Sequence, residues 1–418
     1  MVLLGAVAAA AGFVAVEVGL LTRQTETEGW VVRADRAKTE MVDRLLFTDT
    51  AEAFKTGAIK GVSVANDEPV RVVLDVPEQT WFPREGTWTS PQTRTDFSFT
   101  ELLPSWNLST PADTGIVFTV RARDAASREW SPWLRIGGWG RTTNSARRDE
   151  CDLGKIDVDT LKLNRPADAY QLRATLQSFD LSPKVNPSIR RIAVTYSGPL
   201  DAQSVWAKAM HPQPVDWARD LKLPFFPQGD NDPAVVKMTC SPTSVSMVLS
   251  YFSVDRPTME NCLAIWDDHD DLFGNWANAT QRAAEVGMDA WLQRFRNWDQ
   301  VKELIAKGQP VIASINFEKG TYEDAPIYKG TGGHLIVIRG FTGDGKVIVN
   351  DPASRAKGNG ALYPAKGLAH AWFGNGGVGY VIRPPAKPLP AALVKASARG
   401  RGATTVPTTA PVAVSRGR

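Results

Sequence analysis

The sequence predicts two folded units of different class in one chain: an all-β sandwich or jelly roll over residues 61–199, and an α+β unit over residues 220–383. Length is the first reason, since 418 residues exceed what one ordinary hydrophobic core organises. The second is a change of pattern. Val70–Val76, Ile116–Ala122 and Ile189–Tyr196 are rich in β-branched residues, two of them alternate clearly, and clusters of Gly, Pro, Asn and Asp separate them. Beyond residue 220 a helix-start signal and a β-hairpin signal appear instead. Composition agrees with folded globular units: 43% hydrophobic and 22% charged residues exclude a polytopic membrane protein, a collagen-like repeat and a wholly disordered chain. The balance of 48 basic against 45 acidic residues gives no bulk electrostatic case for a nucleic-acid partner.

The ends stand outside both units. Residues 1–16 are entirely apolar or Gly, and Glu17 interrupts the run before residues 18–21. No amphipathic period appears, so residues 1–22 read as a signal peptide or membrane anchor, with residues 23–60 as a connecting segment. The expected location is therefore secreted or cell-surface, with membrane contact only through that segment. Residues 384–418 are rich in Pro, Ala and Thr and hold six basic residues and no acid. They read as a disordered tail. The overall charge of +3 then divides into +6 on the tail and −3 elsewhere, and the tail is expected to attach weakly to anionic cell-surface polymer.

Within the β unit, six of the fourteen tryptophans fall between residues 81 and 139: Trp81, Trp88, Trp106, Trp130, Trp133 and Trp139. They fill the core, as buried aromatics usually do, or form a platform on which sugar rings stack. Asn107 and Asn278 each begin an Asn-X-Ser/Thr pattern, which is common by chance. Residues 200–219, with His211-Pro-Gln-Pro214, read as a linker.

The chemistry is concentrated after residue 220. Cys240-Ser-Pro-Thr-Ser244 precedes an apolar run to Phe252, and Pro after a Ser cap marks a helix start. Cys240 then sits just before or within the first helical turn, where the dipole and free N–H groups favour the thiolate. Gly332-Gly-His334 opens a strand, residues 342–345 form a turn, and a second strand runs to Asp351-Pro352. A two-residue loop in either register puts Asp351 on the sheet face of His334, because strand alternation preserves parity. With Gly343-Asp344 central, Asp351 faces Ile336, diagonal to His334 at about 7 Å. A carboxylate there would fix the imidazole tautomer and support the imidazolium formed when His334 takes a thiol proton. Gln228, on the Pro-bounded stretch before Cys240, offers an amide donor for an oxyanion.

Residues 221–383 resemble the bacteriocin-processing-peptidase-like branch of the papain-like cysteine peptidases. The matching pieces are Gln228, residues 240–244, Gly274-Asn-Trp276, Gly308–Ile312, Gly333-His-Leu335, Val349-Asn-Asp-Pro352, Ala371-Trp372 and Gly379–Ile382. The resemblance implies Cys240 as nucleophile, His334 as general base and acid, Asp351 as orienting carboxylate and Gln228 as oxyanion donor. It implies a papain-like peptidase domain that needs no cofactor and takes a peptide or protein substrate. The β unit departs from the transporter-linked members, so leader removal coupled to export is not expected. An acyl transferase would use the same residues. A noncatalytic surface- or carbohydrate-binding protein relying on the Trp-rich β unit is the reading from another class.

Other titratable clusters carry less. Residues 267–271 are four Asp around His269, but adjacent side chains diverge and match no calcium loop, so a solvated acidic loop is expected. Cys151 and Cys262 could pair in an oxidising compartment, although they lie in different predicted units.

Overall fold

The computed structural model describes residues 31–33, 42–77, 83–142, 149–180, 182, 184–198, 217–267, 270–391 and 393–394. The N-terminal half is almost entirely strand: β1 (Val31–Arg33), β2 (Val42–Thr48), β3 (Ala58–Lys60), β4 (Val62–Ala65), β5 (Arg71–Leu74), β6 (Arg84–Thr89), β7 (Thr93–Ser109), β8 (Thr114–Asp124), β9 (Leu134–Gly140), β10 (Glu150–Cys151), β11 (Gly154–Asp157), β12 (Thr160–Ser178) and β13 (Ser188–Ser197), with one short helix, α1 (Ala51–Lys55), after β2. All the described pairings here are antiparallel and join these strands into one branched hydrogen-bonded network. Two long strands make the branching possible. β12 faces β7 along its first half, β6 along its second, and β8 from Ala167 to its end, so a single strand serves several neighbours.

The connecting segment expected over residues 23–60 is corrected over its described part. β2 pairs with β13 from Asp43 to Thr48, and β3 pairs with β6, so residues 42–60 belong to the β network. Leu45 and Phe54 explain why, since both are buried in its core. Residues 1–30 and the greater part of 200–219 lie outside the described residues. Among the described residues, no helix is long and apolar enough to cross a membrane.

The C-terminal half mixes both element types: β14 (Arg219–Asp220), α2 (Cys240–Tyr251), α3 (Thr258–Ile265), α4 (Trp276–Glu285), β15 (Asp289–Arg294), α5 (Trp298–Ala306), β16 (Val311–Phe317), β17 (Thr331–Phe341), β18 (Val347–Asn350), β19 (Ala361–Tyr363), α6 (Ala365–Trp372) and β20 (Val378–Arg383). The strands form a second sheet in the order β15-β20-β16-β17-β18-β19, with β14 added to β17. α2 packs against β17 and is buried on nearly every side, Val245, Met247, Val248 and Leu249 being inaccessible. Its buried hydroxyls are all engaged. Ser244 Oγ donates to Leu335 O at 3.1 Å, Ser246 Oγ donates to Pro242 O at 2.8 Å, and Ser241 Oγ lies 3.1 Å from Tyr380 Oη.

The two halves share one continuous buried core. Their junction is polar in a particular way: side chains complete backbone ladders across it. Asn107 Nδ2 donates to Ala290 O at 2.6 Å, and Ala290 N donates back to Asn107 Oδ1 at 3.3 Å. Gln281 does the same in reverse, accepting from Leu108 N at 2.9 Å and donating to Leu108 O at 3.2 Å. Ser105 Oγ accepts from Leu292 N at 3.0 Å. β15 is the edge strand of its sheet, so these groups of β7 cover an edge that would otherwise be open. Buried ion pairs flank them: Asp43 with Arg296, and Asp289 with Arg190 and Arg191.

The tail expectation is corrected at its start. Ser109 Oγ donates to Leu393 O at 3.2 Å and Lys387 pairs with Glu68 at 2.7 Å, so Lys387 and Leu393 lie against the β network. Leu389, Leu393 and Val394 also line a small cavity with Leu108 and Ala284, too few apolar residues to form a hydrophobic pattern in the sequence. The remainder, 395–418, lies outside the described residues.

Candidate active site

Helix α2 starts earlier than its Ser-Pro pair suggests. Thr239 is the N-cap, Cys240 the first helical residue and Pro242 the third. Proline is tolerated there because the first helical N–H groups have no partner within the helix. Cys240 is thereby fixed at the positive end of the dipole.

His334 stands on β17, opposite Ile315 of β16. Its position relative to Asp351 depends on a detail of the following hairpin. The loop is Gly343-Asp344-Gly345, three residues and not two, closed by Thr342 N donating to Lys346 O at 2.9 Å. Gly345 takes φ +81°, the left-handed conformation that such a loop requires. The loop pairs Phe341 with Val347 and Gly340 with Ile348. Continued unbroken, that register would set Asp351 opposite Val337, on the face away from His334. The register slips by one between Gly340 and Ile338, so Ile338 pairs with Val349 and Val337 with Asn350. Asp351 returns to the face of Ile336 and His334.

The slip is pinned by Arg339. Its guanidinium donates to both oxygens of Asp220 at 2.7 and 3.0 Å, to Asn350 Oδ1 at 3.0 Å and to Asn359 Oδ1 at 3.1 Å. Beside it, a Cβ on Gly340 would meet Arg219 O at 2.0 Å, so only glycine lets β14 cross here.

The side chains then converge. His334 Nε2 lies 2.8 Å from Asp351 Oδ1, leaving Nδ1 for the thiol of Cys240, with which the ring is hydrogen-bonded. Both His334 and Asp351 are buried. Burial pushes the Cys240 thiol up, but the His334 hydrogen bond and charge outweigh it, helped by the backbone N–H groups of Leu335 and Ser241, and the thiol falls below its ordinary value. Burial pushes His334 down, but Asp351 and Cys240 together raise it above the ordinary imidazole value. Asp351 is pushed up by burial and brought below the ordinary carboxylate range by His334, Tyr363 and the Ala353 N–H.

Asp351 is saturated with donors. Oδ1 faces His334 and accepts from Ala353 N at 2.9 Å; Oδ2 accepts from Tyr328 Oη at 2.8 Å and Tyr363 Oη at 2.5 Å. Neither tyrosine carries a signature in the sequence. One arrives from the β16–β17 loop and the other from β19, and no spacing rule links them to the carboxylate.

Gln228 lies in a short turn held at both ends. Its N–H donates to Pro352 O at 2.9 Å, directly after Asp351, while Asn231 Nδ2 donates to Thr239 Oγ1 and Thr243 Oγ1 at the start of α2. One proton of the Gln228 amide goes to Val236 O at 2.9 Å. Beside this turn, Phe225, Phe226, Pro227, Asn231, Thr258 and Arg355 line an open groove.

The remaining sequence candidates fall elsewhere. Cys151, Cys240 and Cys262 are all free thiols, so Cys151 and Cys262 do not pair; Cys262 is buried beside Val235 and Phe273. Asp267 accepts from Asn275 Nδ2 at 2.6 Å, while Asp268 and His269 lie outside the described residues. Trp88, Trp106 and Trp139 are core residues, and Trp81 lies outside the described residues. Trp130 and Trp133 are half-buried in a ladder with Arg121, Arg123 and Arg173, whose guanidinium carbons stand 4.2–5.8 Å from the ring centroids. Asn107 and Asn278 are buried and hydrogen-bonded.

Residues 44–197 match the family model described as the peptidase C39 N-terminal domain, and residues 220–380 match the peptidase C39 like family. Among solved structures, the chain is similar to a double-glycine-motif protease from an AMS/PCAT transporter in complex with the leader peptide, at 21% identity over 40% of this chain and 94% of that one, TM-score 0.29. It is similar to a C39-like peptidase from Bacillus anthracis, at 18% identity over 41% and 100%, TM-score 0.31. It is also similar to the peptidase domain of Streptococcus ComA, a bifunctional ABC transporter of a quorum-sensing pathway, at 15% identity over 40% and 99%, TM-score 0.28. No curated protein matches.

Proposed function

With residues 220–380 in the C39-like branch of the papain-like cysteine peptidases, behind a β domain of the peptidase C39 N-terminal type, we propose that this chain cleaves peptide bonds through Cys240, His334 and Asp351. The observation that carries the reading is the buried contact of 2.8 Å between His334 and Asp351, beside a thiol at the first residue of α2.

The chemistry follows from the charges. Cys240 and His334 rest as thiolate and imidazolium. The sulfur attacks the scissile carbonyl carbon and its electrons move onto the carbonyl oxygen. Gln228 Nε2, with one proton committed to Val236 O, offers the other to that oxyanion, and the Cys240 backbone N–H supplies a second donor. Collapse of the adduct expels the amine, which takes the proton from His334 Nδ1 and leaves a thioester on Cys240. Neutral His334 then accepts a proton from water, whose oxygen attacks the thioester and releases the acid. Asp351 holds the ring throughout and remains charged.

Further parts of the reading concern placement. The β domain is a sandwich-like module that, joined to the peptidase half through one buried core, presents the peptidase to its substrate. The apolar run at residues 1–16 directs the chain out of the cytoplasm. The direct test incubates the full chain with a diverse peptide library and reads new termini by mass spectrometry. New termini that vanish with Cys240→Ala are expected. Products formed only with an added amine would reassign the chain to acyl transfer, and library peptides retained uncut would point to a binding protein.

A further inference from the structure

We propose that Tyr328 and Tyr363 are positioning residues that set the acidity of His334 through Asp351, an inference resting on the peptidase reading above. Their hydroxyls both donate to Asp351 Oδ2, at 2.8 and 2.5 Å, while Oδ1 is left to His334 and the Ala353 N–H. The four donors occupy the lone pairs of a carboxylate with no access to water.

The division of the two oxygens matters for the proposed reaction. His334 must hold its proton while the thiolate waits, and must surrender it to the leaving amine. A buried carboxylate with only the imidazole as partner would concentrate its charge on that one hydrogen bond and make His334 too weak an acid. Two phenols draw charge toward Oδ2 without adding a cation. They remain donors at any physiological pH, because burial and the neighbouring Asp351 charge raise both hydroxyls well above their ordinary value. Neither could be replaced by Lys or Arg at equal effect, since a full positive charge would also lower His334 directly.

The two tyrosines are not equivalent. Tyr363 is buried on β19, packed near Tyr322, and acts only through its hydroxyl. The Tyr328 ring also meets the His334 imidazole edge-on, with centroids 5.3 Å apart and planes at 85°, and stacks on Phe317 at 5.8 Å. It therefore restrains the plane of the imidazole as well as the charge of its partner.

The test uses Tyr328→Phe, Tyr363→Phe and the double variant, which keep the rings and remove only the hydroxyls. The rate of Cys240 alkylation by iodoacetamide is followed from pH 4 to 11 by peptide mass spectrometry, with circular dichroism verifying the fold. In the wild type, Cys240 reacts well below the pH of an ordinary thiol, and a second rise at high pH marks loss of the His334 proton. The proposal expects that second rise to move upward by about half a pH unit or more in each single variant, and further in the double variant. Peptide cleavage at pH 7 should fall mainly in kcat, with KM little changed. A second rise at wild-type pH in all folded variants overturns the proposal while leaving the peptidase reading intact. Wild-type Cys240 reacting no faster than Cys151 overturns both. If Tyr363→Phe fails to fold, Tyr328→Phe decides alone, since its ring contacts are retained.

Discussion

At the scale of single residues, the site combines a thiol that burial would keep protonated with a histidine that burial would keep neutral; His334 reverses the tendency of the thiol, and Asp351 together with the thiol reverses that of His334. Gln228 is the member whose role can be isolated. Alkylation of a thiolate builds no oxyanion, whereas peptide cleavage does. Gln228→Ala is therefore expected to lower kcat for peptide cleavage by about 10²–10³-fold while leaving the Cys240 alkylation rate at pH 6 unchanged. Parallel loss in both assays would assign Gln228 to holding the start of α2, through the turn that Asn231 ties to Thr239 and Thr243. The convergence of Cys240, His334 and Asp351 was legible in the sequence because each sits in a local signature: a helix start, a strand opening, an Asp-Pro turn. Tyr328 and Tyr363 were not, because a hydroxyl that reaches a carboxylate from a separate loop or strand leaves no trace in spacing.

Among elements, the β17–β18 hairpin shows how far periodicity reaches. The turn residues and both strands were readable, and so was the shared face of His334 and Asp351. The route to that face was not. A three-residue loop reverses parity, and the slip at Arg339 restores it, so two irregularities cancel. Arg339 holds the slip through Asp220, which lies 119 residues away and within the stretch whose pairing partner no local pattern reveals.

A second element-scale device joins the halves at α4. Asp159, on the turn between β11 and β12, accepts from Trp276 N at 2.6 Å and Ala277 N at 3.3 Å, completing the start of α4 from the other half of the chain. Burial dominates these bonds and raises its carboxyl from 3.8 to about 7. A raised pKa means that the folded state binds the proton more tightly than the unfolded chain. The corresponding stability is fully present below about pH 4 and is lost as pH rises through about 7. Taken alone, that contribution amounts to about 4 kcal/mol across this window. Denaturant titrations at pH 5 and pH 8 should therefore show a larger loss of stability with rising pH in the wild type than in Asp159→Asn. An identical pH dependence in the two proteins would refute the assignment.

For the whole molecule, the two classes of secondary structure were evident from pattern, but their union was not. The sequence reading separated them with a linker, whereas their buried surfaces form one core and side chains of β7 complete the open edge of β15. Asn107, which the sequence offered only as a chance glycosylation pattern, is central to that junction. Asn107→Ala is expected to cost about 1–3 kcal/mol, because the Ala290 N–H and carbonyl lose their partner inside the protein. Residues 217–394 expressed without the β domain should expose the β15 edge and associate on gel filtration, and a stable monomer of that fragment would show that the junction is dispensable. Charge divides differently from fold: the cationic excess lies in residues 384–418, and Lys387 of that segment already reaches back to Glu68.

The central claim is that Cys240 is an activated thiolate held by His334. The most direct measurement compares iodoacetamide labelling of Cys240 and Cys151 within the same molecules at pH 6, in wild type and in His334→Ala. The account predicts that Cys240 reacts at least about tenfold faster than Cys151 in the wild type, an advantage that disappears in the variant. Equal labelling of the two thiols in the wild type, or a Cys240 rate unchanged by removing His334, would contradict it.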